Sequence, residues 1–481
     1  MRKLVSSLVL LFVLIFSVSI LSAQESEEYY SVLLKNNKQV EKFKQELADT
    51  GAEVVYEVPE LGYYQVKGTP SEVSNVSKLK SVSVASPSIQ WDLEKTKKIK
   101  MSEEEIDAQL EAADPGQAAF WPLQWDVQRI TENGKSYDVH TGSHDTVVAV
   151  LDTGINLNHP DLAPNIVDGS KNFVPAGGFR GTEPWETGDV NQVQDLHGHG
   201  SHVSGHIAGN GGMLGVAPDL GLRAYRVFGL GSAETAWILD AMVTAADDGS
   251  DVLSMSLGGF DILGQVFEKN PDTGKWENTG NGNADMIAYK RAIDYAESKG
   301  AVVVTSAGND GLDARNNKQV VEFLNEQLGE DVELRGTAKI SPADHPGVIN
   351  VSATGPNDLY AVYTNYGNGF VDLATVGGDT RLYDQYEAEG RLDEYLDNLM
   401  HYDEFTLSAD SVGAGYYFSV GTSMATPKVS AVVGLIIDQH DGELNPNQVK
   451  SILLKKGVEK VTGQEKQYYG NGHLNALDAV K

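Results

Sequence analysis

The sequence predicts an α/β protein in which a parallel sheet is covered by helices on both faces and is preceded by a small α+β unit. From about residue 117 onward, β-rich apolar runs alternate with amphipathic segments that end near glycine. The runs are TVVAVLD, LGLRAYRVF, DVLSMSLGG, AVVVTSAGN and VINVSAT. Runs with little polar alternation are typical of strands buried on both faces, and helical segments between them favour parallel pairing.

The small α+β unit is assigned to residues 24–92. Its segments YYSVLL, AEVVYEV, LGYYQVK and SVSVAS are strand-like. One helix is predicted from the helical spacing of Val40, Phe43 and Leu47, and a second helix from Thr69-Pro70. The resulting order, β-α-β-β-α-β, is the ferredoxin-like split arrangement.

The first 23 residues have the pattern of a secretory signal peptide. Arg2 and Lys3 precede an apolar stretch, and the small pair Ser22-Ala23 precedes an acidic segment. A membrane anchor is the alternative, because the stretch is roughly long enough to span a bilayer. We expect a cleaved signal and a secreted, soluble protein. The C-terminal NALDAVK carries no cell-wall sorting signal, which predicts that the protein is released and not anchored. The chain has no cysteine, so disulfides are excluded.

Charge divides the chain further. The net charge is −31, and lysine is frequent only before about residue 116, so the two parts are expected to attract each other; general solubility is the alternative. Nucleic acid is a poor partner for an acidic surface.

Residues 93–116 are charged and lack a core pattern, which predicts an exposed linker open to proteolysis. Polar stretches at about 261–284, 313–337 and 377–415 predict surface loops suited to substrate specificity.

Three separated segments carry the residue types of nucleophilic catalysis. Ser423 lies in GTSMATP at the start of an apolar helix, where the helix dipole favours negative charge. A serine nucleophile needs a base and a group that orients the base. His199, in DLHGHGSHVSG, and Asp152, at the end of a strand, supply both, and the order Asp, His, Ser is a known one.

The histidines around His199 also allow a zinc site to be considered. His197, His202 and His206 crowd the same segment, but His202 and His206 enclose no glutamate, so the metallopeptidase motif is absent. We therefore interpret His199 as catalytic and the other three as structural, with His197 facing solvent.

The motifs DTG, HGSHVSG, SLGG, SAGND and GTSMATP resemble, in this order, those of the subtilisin-like serine peptidases across residues 117–481. Further segments, among them PLQWDVQRITENG, ETGDVNQVQDLHGHG and ATPKVSA, resemble the lantibiotic leader peptidases within that family. The resemblance implies a subtilisin-like fold and an inhibitory, folding-assisting propeptide at residues 24–92. It also implies that Ser423 attacks the scissile carbonyl, His199 transfers the proton, Asp152 orients the imidazole and Asn309 donates to the oxyanion.

The resemblance also implies two backbone edges that bind an extended peptide. These residues are Ser232, Ala233 and Glu234 on one edge, and Ser256, Leu257, Gly258 and Gly259 on the other. Glu234 and Asp310 add negative charge, which indicates either basic substrate residues or solvated carboxylates. Asp161 matches a calcium ligand of the family and Asp114 is a second candidate, although the loop Asn210–Met213 is short for such a site. Catalysis is expected to need no cofactor.

The predicted function is therefore a secreted, monomeric serine endopeptidase that removes the leader peptide from a lanthipeptide bacteriocin precursor after autocatalytic loss of its own propeptide. A broad degradative protease is the alternative. A catalytically inert homologue is the third possibility, but it would require the loss of one of four residues that are all present.

Overall fold

The computed structural model describes residues 27–93, 96–270, 273–460 and 465–481. The predicted signal peptide, residues 1–23, lies outside the described residues. Among the helices that are described, none combines the length and the apolar character needed to cross a bilayer.

The main sheet confirms the predicted fold class. It has nine strands, and all neighbouring pairs are parallel except at one edge, where Val458–Glu459 runs antiparallel to His473–Leu474. In spatial order the strands are Val458–Glu459, His473–Leu474, Leu373–Val376, Ile349–Thr354, Val302–Ser306, Val252–Met255, Val147–Asp152, Gly221–Arg226 and Lys171–Asn172.

Alternate residues of the same strands enter two different cores, which shows that helices cover both faces of the sheet. Val148 and Val150 pack with one core, and Ala149 and Leu151 pack with the other. The first core is covered by the helices His199–Ala208, Thr422–Asp438, Pro446–Lys456 and Ala476–Val480, with Trp125–Ile130. The second core is covered by Thr235–Asp247 and Ala284–Ser298.

The N-terminal unit has the predicted order of strands and helices. Its antiparallel sheet contains, in spatial order, Glu53–Val58, Tyr63–Gly68, Glu28–Leu34 and Val82–Pro87. Its helices are Val40–Leu47 and Pro70–Val76, the second with a capping box between Thr69 and Glu72. Val32 and Leu34 face these helices, whereas Leu33 lies in the core formed with Thr235–Asp247 and Ala284–Ser298. The unit is therefore docked, through its open sheet face, on two helices of the large domain.

Polar contacts fix this docking. Arg291 donates to the carbonyl oxygens of Leu61 at 2.7 Å and Leu34 at 2.9 Å. The Tyr63 hydroxyl donates to Asp285 Oδ1 at 3.0 Å and lies 2.7 Å from the Ser31 hydroxyl. Burial raises the pKa of Asp285 to about 7, and Asp261 adds to the shift, although hydrogen bonds from Ser31 and Tyr63 oppose it. The docked state therefore binds a proton that a solvated aspartate would release.

The raised pKa of Asp285 predicts that docking of the N-terminal unit weakens as the pH rises. Because the pKa of Asp285 is higher in the docked state, its contribution is complete below about pH 4 and is lost as the pH rises to about 7. In a Ser423→Ala chain, Asp285→Asn is expected to reduce the loss of thermal stability between pH 5 and pH 8. Melting curves at both pH values test this, and equal losses with aspartate and asparagine would contradict it.

The predicted exposed linker, residues 93–116, is structured in part, and the expectation is wrong there. Lys98–Lys100 forms a strand that pairs antiparallel with Tyr416–Ser419, Met101 is buried, and Glu103–Ala112 is a helix with a Ser102 cap. The pairing is made by backbone groups. A charged sequence has no apolar pattern that would indicate such a strand. Just before the linker, Gln90–Asp92 pairs with Ser232–Glu234.

The three polar stretches also have regular structure. The first two form one antiparallel sheet, with strands Trp276–Asn281, Gly259–Lys269 and Val332–Ser341 in spatial order, against which the helix Asn317–Leu328 packs. The third stretch contains the helices Arg381–Ala388 and Leu392–Asp397 and the strand Thr406–Ala409, which pairs with Tyr416–Ser419. A short helix, Lys466–Tyr469, lies near the C-terminus.

A buried ion pair joins the helix that begins beside Ser423 to the first helix of the large domain. Lys428 Nζ lies 2.8 Å from Asp126 Oδ2, and both side chains are fully buried. Lys428 also donates to the carbonyl oxygens of Met424 and Val376, at 3.0 Å each. Burial lowers the pKa of Lys428, against the attraction of Asp126.

We predict a large loss of stability when this pair is broken. Lys428→Ala leaves a buried carboxylate without its cation and is expected to lower the free energy of unfolding by about 3–5 kcal/mol. Lys450→Ala is the matched control, because its pair with Asp372 is more exposed and is worth at most about 1 kcal/mol. Urea unfolding measures both, and equal losses would contradict the prediction.

Candidate active site

Asp152 and His199 are brought together at the carboxyl end of the sheet. Asp152 is the last residue of its strand, and His199 is the first residue of its helix. His199 Nδ1 lies 2.8 Å from Asp152 Oδ1 and 2.9 Å from Oδ2, and both side chains are almost fully buried. An imidazole held at Nδ1 by a carboxylate presents Nε2 to a reacting group.

Asp195 fixes the start of the helix that carries His199, and sequence analysis missed it. Its carboxylate accepts hydrogen bonds from the backbone of His197, Gly198 and Ser201 and from the Ser201 hydroxyl, at 2.7–2.9 Å. Burial opposes ionisation, but these hydrogen bonds hold the pKa of Asp195 below its usual value. An aspartate just before a predicted helix is a capping signal that could have identified this residue.

Ser423 lies in the first turn of the helix Thr422–Asp438, and the residue is only 1 % exposed. Its hydroxyl donates to the Ser256 carbonyl oxygen at 3.1 Å, and the Ser256 hydroxyl donates to the Ser423 carbonyl oxygen at 2.9 Å. This exchange of hydrogen bonds places the predicted nucleophile directly beside the first residue of the predicted substrate edge.

The orientation of Asn309 is fixed by the residue that precedes Ser423. Its Oδ1 accepts hydrogen bonds from the Thr422 backbone N–H at 2.8 Å and from the Thr422 hydroxyl at 2.9 Å. A backbone N–H can only donate, so the oxygen of the amide faces Thr422 and Nδ2 faces away from it. An Nδ2 donor held in this way can stabilise an oxyanion that forms beside Ser423.

Asn365 holds both sides of the loop that carries Asn309, and sequence analysis missed this residue too. Its Oδ1 accepts from the backbone of Asp310 at 3.1 Å and Leu312 at 2.9 Å, and its Nδ2 donates to the Ala307 carbonyl at 3.0 Å. Asn365 is fully buried, and a Cβ at Gly308, where φ is +95°, would lie 2.4 Å from its Nδ2. The contact joins distant segments, so no local pattern reveals it.

We predict that Asn365→Ala lowers kcat with little effect on KM, because it releases the oxyanion donor and leaves the substrate edges in place. A displacement of about 1 Å at a reacting group lowers the rate about 10²-fold. The loss should largely disappear in an Asn309→Ala background. Steady-state kinetics of the single and double variants test this; the exposed Asn368→Ala is the control, and additive losses would contradict the prediction.

The neighbouring histidines are packed in the protein. His202 and His206 are fully buried; His202 Nε2 lies 3.1 Å from the Tyr417 carbonyl oxygen, and His206 Nδ1 lies 3.6 Å from Asp126 Oδ2. His197 is partly buried, not fully solvated, and burial with nearby Lys98 lowers its pKa to about 4. Within the described residues, no group of three or more His, Cys, Asp or Glu is arranged to hold a metal ion.

The first predicted substrate edge is paired with a segment of the chain itself. Ser232 pairs with Asp92, Ala233 with Trp91 and Glu234 with Gln90. The Trp91 indole donates to Thr235 Oγ1 at 2.8 Å, and its ring centroid lies 5.3 Å from that of Tyr289. A Cβ at Gly259 would lie 2.8 Å from the indole ring, which explains the glycine. The edge therefore accepts an extended peptide in antiparallel pairing.

The second predicted substrate edge is partly buried, and each of the two nearby carboxylates has a polar partner. Ser256 and Leu257 are buried, Gly258 is partly exposed, and the Leu257 carbonyl accepts a hydrogen bond from Ser306 Oγ at 3.1 Å. Glu234 is buried and paired with Arg180 at 2.7 Å, so its charge is compensated. Asp310 is bonded to Asn365 Nδ2 at 3.2 Å, and burial raises its pKa.

Asp161 does not fit a calcium ion. Its carboxylate accepts hydrogen bonds from the backbone of Gly212 at 2.7 Å and Met213 at 3.0 Å and from the Tyr416 hydroxyl at 2.7 Å. The loop thus presents N–H donors to the carboxylate oxygens, whereas calcium is held by several oxygen ligands that face the ion. Asp114 is exposed in a turn.

On the other side of Ser423, a further segment of the chain lies in the cleft. Thr96 Cγ2 is 3.5 Å from the position of a Cβ at Gly421, and Ser419 Oγ donates to the Lys97 carbonyl at 3.0 Å. Leu93, at the opposite end, donates its backbone N–H to the Gly231 carbonyl at 2.9 Å. Leu93 and Thr96 are therefore held on two different sides of the candidate active site, one beside Gly231 and the other beside Gly421.

Comparison with known proteins gives consistent results. The profile of the subtilase family (peptidase S8) matches residues 143–472. The chain is 32 % identical over 464 residues to the epidermin leader peptide-processing serine protease of Staphylococcus epidermidis, covering 96 % of this chain and 94 % of that protein. It is 33 % identical over 362 residues to the nisin leader peptide-processing serine protease of Lactococcus lactis, but spans only 49 % of that protein and 75 % of this chain.

Solved structures show the same relationship. The epidermin leader peptide processing serine protease from Staphylococcus aureus superimposes with a TM-score of 0.78 at 32 % identity, over 95 % of this chain and 98 % of that one. The nisin leader peptidase from Lactococcus lactis gives a TM-score of 0.67 at 32 % identity, over 76 % of this chain and 95 % of that one.

Proposed function

The chain belongs to the subtilase family of serine proteases, and from this premise we propose that it is a secreted endopeptidase that removes the leader peptide from a lanthipeptide bacteriocin precursor. Two of its relatives carry that activity in their names. In the proposed mechanism the Ser423 hydroxyl attacks the scissile carbonyl while His199 takes its proton, and His199 then returns the proton to the leaving amine. Asp152 holds the imidazole and stabilises its charged form.

The observation that carries the proposal is that the chain's own residues are paired with the protein on both sides of the candidate active site. Gln90–Asp92 is paired with one edge of the cleft, and Lys98–Lys100 is paired with Tyr416–Ser419 beyond Ser423. A peptide bound in both halves of a protease cleft is held as a substrate is held. We therefore propose that residues 24–92 are an inhibitory propeptide and that the enzyme cuts itself at a bond between Leu93 and Thr96.

Intact mass and fragment termini of the purified wild-type chain test this proposal. Autoprocessing predicts one new C-terminus and one new N-terminus between residues 93 and 96, with the rest of the chain stable. A first cut elsewhere in 97–116 would refute the proposed position, whereas extensive self-digestion would favour the degradative alternative. A chain that stays intact would contradict autoprocessing.

Substrate range separates the leader peptidase from the degradative protease. The processed enzyme is expected to cut a lanthipeptide precursor once, at the leader junction, and to leave an unfolded protein such as casein largely intact. Mass spectrometry of both digests measures this. Rapid degradation of casein at many positions would support the broad-specificity alternative.

A further inference from the structure

The side of the cleft beyond Ser423 contains an acidic surface, which we define as Asp384 and Glu387 with the ring of Tyr383. All three residues belong to the third polar stretch, 377–415, and lie on the helix Arg381–Ala388. It binds Lys97, which directly precedes the strand Lys98–Lys100 that pairs with Tyr416–Ser419. In a protease it would contact the residues that follow the bond that is cut.

Lys97 of the chain's own segment is bound by this surface. Its Nζ lies 3.2 Å from Asp384 Oδ1 and 3.0 Å from Glu387 Oε2, and 4.0 Å from the centroid of the Tyr383 ring. Burial disfavours the charged lysine, but the two carboxylates outweigh it, and the pKa of Lys97 is raised. One cation thus contacts two carboxylates and an aromatic face. Such a combination stabilises the bound lysine more than an ordinary surface ion pair does.

Lys100, three residues after Lys97, binds a different carboxylate beside the same strand. Its Nζ lies 2.7 Å from Asp410 Oδ2, and the Asp410 side chain is only 9 % exposed. Lys98, between them, donates to the His197 carbonyl at 3.2 Å. The backbone is fixed as well, because Ser419 Oγ donates to the Lys97 carbonyl and Met101 N–H donates to the Tyr416 carbonyl at 3.0 Å. The occupant is therefore an extended, lysine-bearing peptide held by both backbone and charge.

We propose that this acidic surface is a specificity site for substrates that carry a basic residue shortly after the cleaved bond, in an extended segment. The inference rests on the proposed function, since it assigns a substrate preference to the same cleft. The chain's own residues 96–101 occupy the site as a substrate would, and they compete with an incoming peptide until they are displaced.

Peptide cleavage by the processed enzyme tests the inference. The enzyme carries Lys97→Ala and Lys100→Ala, which weaken the hold of its own segment. Two synthetic peptides have the sequence of residues 86–102, one unchanged and one with glutamate in place of Lys97. We expect kcat/KM to be about tenfold higher for the lysine peptide, with the ratio smaller at 1 M salt than at low salt.

Enzyme variants assign the preference to the named carboxylates. Asp384→Asn with Glu387→Gln should reduce the preference to near unity, whereas Asp393→Asn, an exposed acidic residue on the next helix, should leave it unchanged. Equal cleavage of both peptides, or a preference that survives Asp384→Asn with Glu387→Gln, would overturn the inference and leave the peptidase activity established. Cleavage of neither peptide would instead contradict the proposed function itself.

Discussion

A Ser423→Ala chain is expected to remain at full length and to hydrolyse no peptide above background. The substitution removes the only oxygen that the proposed mechanism uses as nucleophile, and in a subtilisin the corresponding loss in kcat is about 10⁶-fold. The fold should survive, because the Ser256 carbonyl that loses its partner adjoins the cleft. Intact mass after prolonged incubation, with a thermal melt, measures both effects.

The control for this prediction lies in the same helix. Ser430 is also buried, and its hydroxyl contacts Ser254 Oγ at 2.8 Å, but it lies two turns beyond Ser423. Ser430→Ala should process itself normally despite a modest loss of stability. Processing in the Ser423→Ala chain would show that Ser423 is not the nucleophile, and its loss in both chains would contradict a role specific to Ser423.

The second large effect is expected at Asn309. Asn309→Ala should lower kcat about 10²–10³-fold and leave KM nearly unchanged, as the removal of the oxyanion-hole asparagine does in subtilisin. The reason is that the amide stabilises charge that exists only in the transition state. Steady-state kinetics on a peptide substrate separate the two constants.

A surface asparagine provides the comparison for Asn309. Asn447 is exposed at the start of the helix Pro446–Lys456, and Asn447→Ala should retain full activity. A rise in KM without a fall in kcat for Asn309→Ala would contradict the oxyanion role and indicate ground-state binding instead.

The main sheet could be predicted because the pattern of each strand is visible within its own segment of the sequence. Val147–Asp152 and Val302–Ser306 are apolar runs that need no knowledge of the rest of the chain. The motifs around Asp152, His199 and Ser423 were equally local, and the structure places Asp152 against His199. What the sequence lacked was the identity of partners across long separations, such as Asn365 for the Asn309 loop.

The expectations for residues 93–116 and for Asp161 share a physical limit, and calcium binding itself stays a prediction. The interpretation of residues 93–116 as an exposed linker failed because strand Lys98–Lys100 is held by backbone pairing and by carboxylates some 290 to 310 positions away. The calcium expectation at Asp161 did not anticipate that Gly212 and Met213 direct N–H groups toward the carboxylate. In both cases side-chain identity was known, but the direction of backbone groups was not.

The pairing of the chain's own residues on both sides of the candidate active site has a consequence for the timing of the proposed autoprocessing. Because the segment between Leu93 and Thr96 is covalently part of the enzyme that would cut it, that cut is a unimolecular event whose rate does not depend on protein concentration. Dilution of the chain outside the cell would not delay it. In the proposed autoprocessing, release of the docked N-terminal unit would follow as a separate first-order step. Each molecule would therefore mature on its own schedule, independently of the number of active enzymes already present.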